Sequence, residues 1–189
     1  MRIKKSFVLF ITINLFASSV KAADMLLEMG LHYGGDTIIT VDENDGSRES
    51  LKAGEGFSIA AGMGFDINPD MQFNLSFGVK REVVYPAEGT ITFVRYPLDM
   101  LFMQKKGNWR YGGGITAHMN PVYKSESLAG DETVEFKNAY GLLFDVRYFI
   151  LQEIFVAGRV TWIKYKLEND PTNTSYDGSS IGVLAGFRF

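Results

Sequence analysis

The chain has 189 residues, of which 46% are hydrophobic and 14% aromatic, and its formal charge is −3. The absence of cysteine excludes a disulfide framework, a thiolate metal site and a lipoprotein anchor, and the acidic balance argues against a nucleic-acid partner. The length suits a single domain.

The first 22 residues have the features of an export signal. Basic residues precede a mostly apolar run of ten residues, Phe7 to Phe16, which is too short to cross a bilayer as a helix. Val20 and Ala22 have the spacing of a signal-peptidase site. We therefore predict cleavage after Ala22 and a mature domain of residues 23–189, with an uncleaved anchor as the alternative. Four of the 19 basic residues leave with the signal, so the mature domain has 15 basic and 22 acidic residues and a formal charge of −7.

Apolar and polar side chains alternate in eight stretches of the mature domain, and this period of two is typical of strands with one apolar face. The predicted strands lie near residues 27–33, 56–67, 71–81, 90–103, 109–120, 134–150, 154–167 and 179–189. Longer polar connections (37–55, 82–89, 121–133 and 168–178) alternate with tight turns (68–70, 105–108 and 151–153). This alternation is typical of outer-membrane barrels, whose long loops face outward and whose short turns face the periplasm. An even number of strands then places both termini in the periplasm.

The fourth predicted strand is irregular. Ile91 and Phe93 begin in one register, whereas Leu98, Met100 and Phe102 end in the other, so we predict a bulge near residues 94–97. Aromatic residues near the strand ends form two predicted bands, as at the two faces of a membrane. The band at the turn ends holds Phe65, Phe73, Trp109, Tyr111, Tyr148, Phe155, Phe187 and Phe189, and the band at the loop ends holds Tyr33, Phe57, Phe93, Phe136 and Trp162.

The direction of the apolar faces separates a membrane barrel from a soluble one of the lipocalin kind. Eight strands enclose only a narrow interior, and the small Gly, Ala and Ser residues on the polar faces fit it better than the Phe, Met and Leu residues on the other faces. The predicted fold class is therefore all-β, an eight-stranded antiparallel up-and-down transmembrane β-barrel.

The export signal, the strand rhythm and the terminal Phe189 resemble the small eight-stranded outer-membrane β-barrel family, typified by the OmpA transmembrane domain, OmpX and OmpW. In that family an aromatic C-terminal strand is a signal for the barrel assembly machinery, and Phe187 and Phe189 match its aromatic positions. The signal's usual internal glycine is replaced by Leu184. The resemblance implies the outer membrane of a Gram-negative-type bacterium, periplasmic chaperones, the assembly machinery, lipid and lipopolysaccharide as partners, and a monomer.

Charges of both signs occupy inward positions of the predicted barrel. They are Glu28, Asp66, Lys80, Asp99, Arg110, Asp145, Arg147, Arg159 and Arg188. Charges in so narrow a space must pair or stay hydrated, which favours a structural ion network. The alternative is a gate for water or small ions that opens when one pair breaks.

No catalytic, cofactor-binding or metal-binding residue is predicted. Gly178 to Gly182 match the G-x-S-x-G pattern without the helix and the downstream histidine that a nucleophile elbow needs. His118 is predicted to point inward near the outer rim, and Ser58 with an acidic partner would complete a hydrolase site there. The resulting hypotheses are a non-enzymatic structural or surface-interaction role (adhesion or envelope integrity), then a lipid A-modifying enzyme, then a small gated pore.

Overall fold

The computed structural model describes residues 23–42, 48–86, 89–127, 130–168, 170, 172 and 174–189. The predicted export signal and its cleavage site at Ala22 lie outside these residues. Over the described part of the chain, no helix has the length and apolar character needed to cross a membrane.

The described residues form twelve strands. They are β1 (Ala23–Tyr33), β2 (Thr37–Asp42), β3 (Arg48–Lys52), β4 (Gly56–Asn68), β5 (Met71–Val84), β6 (Gly89–Lys106), β7 (Trp109–Ser127), β8 (Gly130–Glu135), β9 (Ala139–Phe149), β10 (Ile154–Lys166), β11 (Ser175–Asp177) and β12 (Ser180–Arg188).

Eight of these strands close into a ring. In chain order β1, β4, β5, β6, β7, β9, β10 and β12 each pair antiparallel with the next. The ring closes because β12 pairs with β1, from Leu26 opposite Arg188 to Tyr33 opposite Ile181. The predicted eight-stranded antiparallel up-and-down barrel is confirmed. Its three tight turns follow β4, β6 and β9, and Gly107 in the second has a φ of 59°, a conformation that favours glycine.

The alternation along the strands puts apolar side chains outside and polar ones inside, as predicted. On β1, Met29 and Leu31 are 49% and 69% exposed, whereas Glu28 and His32 on either side of them are buried. The same holds on the other barrel strands, so a continuous apolar belt surrounds the barrel. It includes Phe57, Ile59, Phe77, Phe102, Ile115, Leu142, Trp162 and Val183. An exposed apolar surface of this extent is unfavourable in water and favourable in hydrocarbon.

The strand register departs from the prediction at one place. A register shift occurs between Val94 and Tyr96 of β6, close to the predicted bulge, but the extra residue belongs to β7, where Asn120 and Pro121 oppose Arg95. Asn120 has a φ of 43°, which asparagine tolerates better than most residues. Below the bulge even-numbered residues of β7 point inward; above it odd-numbered residues do.

The prediction that Phe93 and Phe136 belong to an outer aromatic band was wrong. The alternation of β6 is unbroken, so Ile91 and Phe93 point inward, and Phe93 is fully buried. Phe93 contacts Phe136 and Tyr165 with ring centroids 5.4 Å away in each case. Phe155, also predicted for a band, is fully buried inside the barrel. The sequence pattern failed here because inward aromatics and outward aromatics have the same period.

Parts of the predicted long loops are strands. The connection 37–55 contains the hairpin β2–β3, and the connection 121–133 contains the end of β7 and β8. Hairpin β2–β3 folds against the inward side of the extended strands. Its Leu51 joins the outer core, a buried cluster at the loop end of the barrel that consists of Leu51, Ala53, Val84, Ile91, Phe93, Tyr123, Phe136, Ala139, Ile163 and Tyr165. An apolar core above the belt therefore closes this end of the barrel.

Candidate functional site

Five charged side chains meet inside the barrel and form the lumen cluster. Its members are Glu28 of β1, Asp99 of β6, Asp145 and Arg147 of β9, and Arg159 of β10. The guanidinium of Arg159 lies 2.8 Å from Asp99, 2.9 Å from Asp145 and 3.1 Å from Glu28. Arg147 contacts Glu28 and Asp145, each at 2.8 Å. No side chain of the cluster is more than 8% exposed.

Ion pairs and hydrogen bonds hold the side chains of the lumen cluster in place. Two guanidiniums face three carboxylates, and Thr116 donates a further hydrogen bond of 2.6 Å to Asp99. Charged hydrogen bonds of this geometry fix the side chains in place, and removing one partner would leave an uncompensated buried charge. The ion pairs of the cluster join four strands across the lumen.

Three of the predicted lumen charges lie elsewhere, at the turn end of the barrel. Asp66 pairs with Lys105 at 2.7 Å, and Arg110 donates to Gln72 at 2.8 Å. Arg188 lies 3.4 Å from Asp24 and donates to the Gln152 carbonyl at 2.7 Å. These groups are partly exposed and form a polar rim rather than part of the lumen cluster.

Lys80, the last of the nine predicted lumen charges, donates hydrogen bonds to a backbone carbonyl and a hydroxyl rather than to a carboxylate. Its ammonium donates to the Gly54 carbonyl at 2.6 Å and to the Ser180 hydroxyl at 3.3 Å. Opposite it in the sheet lies Arg95, which is fully buried, donates to the Glu55 carbonyl and covers the face of Phe93 at 4.4 Å. Together these cations fasten the segment that joins hairpin β2–β3 to β4. The sequence reading missed Arg95; unbroken alternation along β6 was the signal that would have found it.

Hydrogen bonds to Asp177 of β11 also hold Asp36, the residue that precedes hairpin β2–β3. Asp36 donates its backbone N–H to the Asp177 carbonyl at 2.7 Å, and the Asp177 N–H returns a bond of 2.8 Å to the Asp36 carboxylate. Hydrogen bonds from Ser179 hold the pKa of the Asp177 carboxyl below its usual value, so it is ionised at neutral pH. The backbone approach is close: a Cβ at Gly54 would lie 2.8 Å from the carbonyl oxygens of Gly34 and Gly178.

The two histidines have different hydrogen-bond partners, although both line one small cavity together with Ser58. His118 Nδ1 lies 2.5 Å from the Tyr165 hydroxyl. Ser58 shares a hydrogen bond of 2.8 Å with His32 Nε2. Among the described residues His32 Nδ1 has no hydrogen-bond partner, and this is the ring nitrogen to which a triad would join its acid. The adjoining cavity has a volume of about 30 Å³, enough for one or two water molecules and far too small for a lipid. Among the described residues no three His, Asp or Glu side chains are placed to hold a metal ion.

Leu51→Ala is expected to release the hairpin while leaving the barrel intact. Leu51 of β3 is fully buried in the outer core, and a Leu→Ala change in a core costs about 2 kcal/mol or more. Trypsin should cut after Arg48 and Lys52 at least about tenfold faster, because about 1.4 kcal/mol is a factor of ten in the open population. Thr40→Ala, at an exposed position of β2, should leave the cutting rate unchanged. Equal cutting rates in Leu51→Ala and wild type would contradict a hairpin held by the outer core.

The predicted assembly-signal residues lie at the turn end of β12. Phe187 and Phe189 are 45% and 71% exposed, and their rings stack at 6.1 Å. They belong to the lower border of the apolar belt, together with Trp109, Tyr148 and Phe65 at neighbouring strand ends. Leu184 points inward and is buried between Gly182 and Gly186.

Comparisons with solved structures show the same fold. Neisserial surface protein A (NspA) is 13% identical, with a TM-score of 0.53 over 89% of this chain and 97% of that chain. Ail, the attachment invasion locus protein of Yersinia pestis, is 12% identical, with a TM-score of 0.53 over 88% and 97%. Ail in complex with the heparin analogue sucrose octasulfate gives 14% and a TM-score of 0.54 over the same shares. No family model matches the sequence, and no curated protein matches it at the sequence level.

Proposed function

We propose that this protein is a monomeric, non-enzymatic barrel of a bacterial outer membrane, with both termini in the periplasm and a structural or surface-interaction role. The apolar belt supports the membrane setting, since water does not solvate such a surface well and hydrocarbon does. Closed strand pairing leaves no barrel edge, which lipid requires. Lipid and lipopolysaccharide are then its surroundings, and periplasmic chaperones and the barrel assembly machinery its route there.

The choice of role rests on one observation: side chains fill the barrel interior at two levels. The lumen cluster fills the interior, and the outer core with its hairpin covers the loop end. Between them, in the part of the chain that the structure describes, lies a cavity of about 30 Å³, which favours a role without a channel or a substrate chamber. This leaves the outer surface as the part of the molecule that partners can reach.

The form of the outer end supports surface interaction. β6 and β7 have 18 and 19 residues, whereas a strand needs about 9–11 residues to cross the membrane. The excess stands above the belt and is braced by β8 and by the outer core. Such a rigid platform can present a surface without folding on contact. NspA is by its name a surface protein and Ail an attachment invasion locus protein, which fits a role of this kind.

Epitope insertions test the membrane setting and the orientation together. A tag placed between residues 45 and 46 should be labelled by antibody on intact cells. A tag at the turn 107–108, where Gly107 has open space around it, should be labelled only in permeabilised cells. Folded protein in the outer-membrane fraction should also migrate differently before and after boiling. Loss of that shift, or the reverse labelling, would overturn the proposal. Adhesion and serum-resistance assays on a strain whose protein lacks residues 126–132 would then test the surface role.

A lipid A hydrolase is the second candidate, because the Ser58 hydroxyl lies 2.8 Å from His32 Nε2. It would require the lumen to open. Mass spectrometry of lipid A from cells with wild-type protein, Ser58→Ala and no protein decides it. Identical lipid A in all three excludes this activity.

A further inference from the structure

A groove on the outside of the barrel lies directly above the apolar belt. It has a volume of about 320 Å³ and is formed by β5, β6 and β7. Its floor is the pair Val94 and Val122, and Tyr96 and Asn120 lie on the belt side. Thr92 and Lys124 form the next pair, and Arg81 of β5 reaches in beside them. With distance from the belt, its lining therefore changes from apolar at Val94 and Val122 to cationic at Arg81 and Lys124.

The height of this groove matches the border of the membrane. Outward positions of β5 run from Met71 to Arg81, and Met71, Phe77 and Val79 on this face are exposed apolar residues. Ten residues span about 33 Å along a strand, or about 25 Å of height at the tilt of a membrane barrel. That height equals the apolar band of such barrels. Arg81 thus lies where hydrocarbon gives way to lipid headgroups.

The cations of the groove lack carboxylate partners. The contact of Arg81 is a bond of 3.4 Å from its guanidinium to the Thr92 hydroxyl, and in the described part of the chain no carboxylate lies within ion-pair distance of Arg81 or Lys124. Thr92 is only 7% exposed although it points outward, because the neighbouring side chains that line the groove cover it. Glu126 lines the end farthest from the belt and leaves the groove with a net positive charge. A guanidinium, an ammonium and hydroxyl groups around one space suit a phosphate.

The bulge in β7 creates this arrangement. Without the extra residue, the register below Asn120 would continue, and Lys124 would point into the outer core while Tyr123 pointed outward. The bulge at Asn120 and Pro121 reverses both orientations at the cost of a left-handed φ of 43° at Asn120. Bulges are frequent beside functional sites because they redirect side chains.

We propose that the groove binds the phosphate of a phosphorylated lipid of the surrounding leaflet. The phosphate lies between Arg81 and Lys124 and accepts a hydrogen bond from the Thr92 hydroxyl, while the acyl chains lie below over Val94, Val122 and Tyr96. This inference rests on the proposed membrane setting and adds a specific lipid site to it. It makes one flank of the barrel distinct from the others in the membrane.

Native mass spectrometry of the full chain in detergent micelles tests the site with diphosphoryl lipid A as the probe. Arg81→Gln/Lys124→Gln should weaken binding by about tenfold or more, since two charged hydrogen bonds are lost. Lys164→Gln/Lys166→Gln is the matched control, because both residues are exposed outward positions of β10 above Trp162; its binding should change less than about twofold.

A comparison of two lipids on the wild-type protein gives a test that does not depend on how a variant folds. Dephosphorylated lipid A should bind about tenfold more weakly than diphosphoryl lipid A if the phosphate is recognised, and millimolar inorganic phosphate should not displace the lipid. Equal binding of both lipids, equal losses in the two double variants, or displacement by inorganic phosphate would overturn the site. Any of these results, with the boiling-dependent gel shift intact, would leave the proposed function standing.

Discussion

Arg159→Met is expected to lower the free energy of unfolding by about 3–5 kcal/mol. The guanidinium contacts Glu28, Asp99 and Asp145 inside the barrel. Its removal leaves three buried carboxylates with Arg147 as the remaining cation of the lumen cluster. Methionine keeps much of the side-chain volume, so the loss measures charge rather than a void. Urea unfolding of the protein in lipid vesicles, followed by tryptophan fluorescence, gives the free energy of unfolding.

Two further variants separate the buried network from a general loss of positive charge. Lys164→Met removes an exposed cation from the same strand and should change the free energy of unfolding by less than about 1 kcal/mol. Asp99 has Arg159 as its ion-pair partner, so adding Asp99→Asn to Arg159→Met should recover part of the lost stability. A wild-type unfolding midpoint for Arg159→Met would mean that the cluster does not hold the barrel together.

Gly114→Ala is expected to destabilise the barrel by about 3 kcal/mol, at the upper end of overpacking effects. A Cβ at Gly114 would point against the adjacent strand β6, 2.8 Å from the carbonyl carbon of Met100 and 2.9 Å from the Cα of Leu101. Backbone atoms cannot rotate away as a side chain does, so β6 and β7 would have to separate. The same unfolding assay in vesicles, and the yield of folded protein on the unboiled gel, measure the effect.

The neighbouring glycine is the control. At Gly113 a Cβ would meet the Leu143 carbonyl at 3.4 Å and the Phe144 ring at 3.8 Å, which are ordinary contacts. Gly113→Ala should therefore change stability by less than about 1 kcal/mol, and the lower backbone entropy of alanine when unfolded favours the variant. If both variants behaved alike, close packing of β6 on β7 would not be the reason for glycine at 114.

The strands of the barrel could be predicted because lipid and lumen are opposite environments. Every second residue on β1 or β5 faces hydrocarbon and must be apolar, and this constraint is visible along each strand without knowledge of its neighbours. The tight turns at Pro69 and Gly107 could be predicted because their residue types favour reversal. Inward charges such as Glu28 and Arg159 followed from the same alternation.

The structure at the loop end of the barrel could not be predicted from this alternation. Above the belt, strands such as β6 have an apolar core on the inside, so Phe93 inside and Trp162 outside give the same sequence pattern. The bulge that reverses the faces of β7 depends on pairing with β6, and Asn120-Pro121 alone does not show which strand takes the extra residue. The folding of hairpin β2–β3 over the loop end of the barrel could not be predicted either, because the sequence pattern of residues 37–55 predicts only a polar connection.

The sequence by itself determined the number of barrel strands, their order and the alternation of apolar and polar faces along them, because these follow from local alternation. Only the tertiary structure decided which charges meet. Lys80 and Arg95 hold backbone carbonyls, whereas Arg159 gathers carboxylates from β1, β6 and β9. The physical reason is that a barrel brings together residues that are far apart in the chain, and which of them touch depends on the register of all eight strands around the ring.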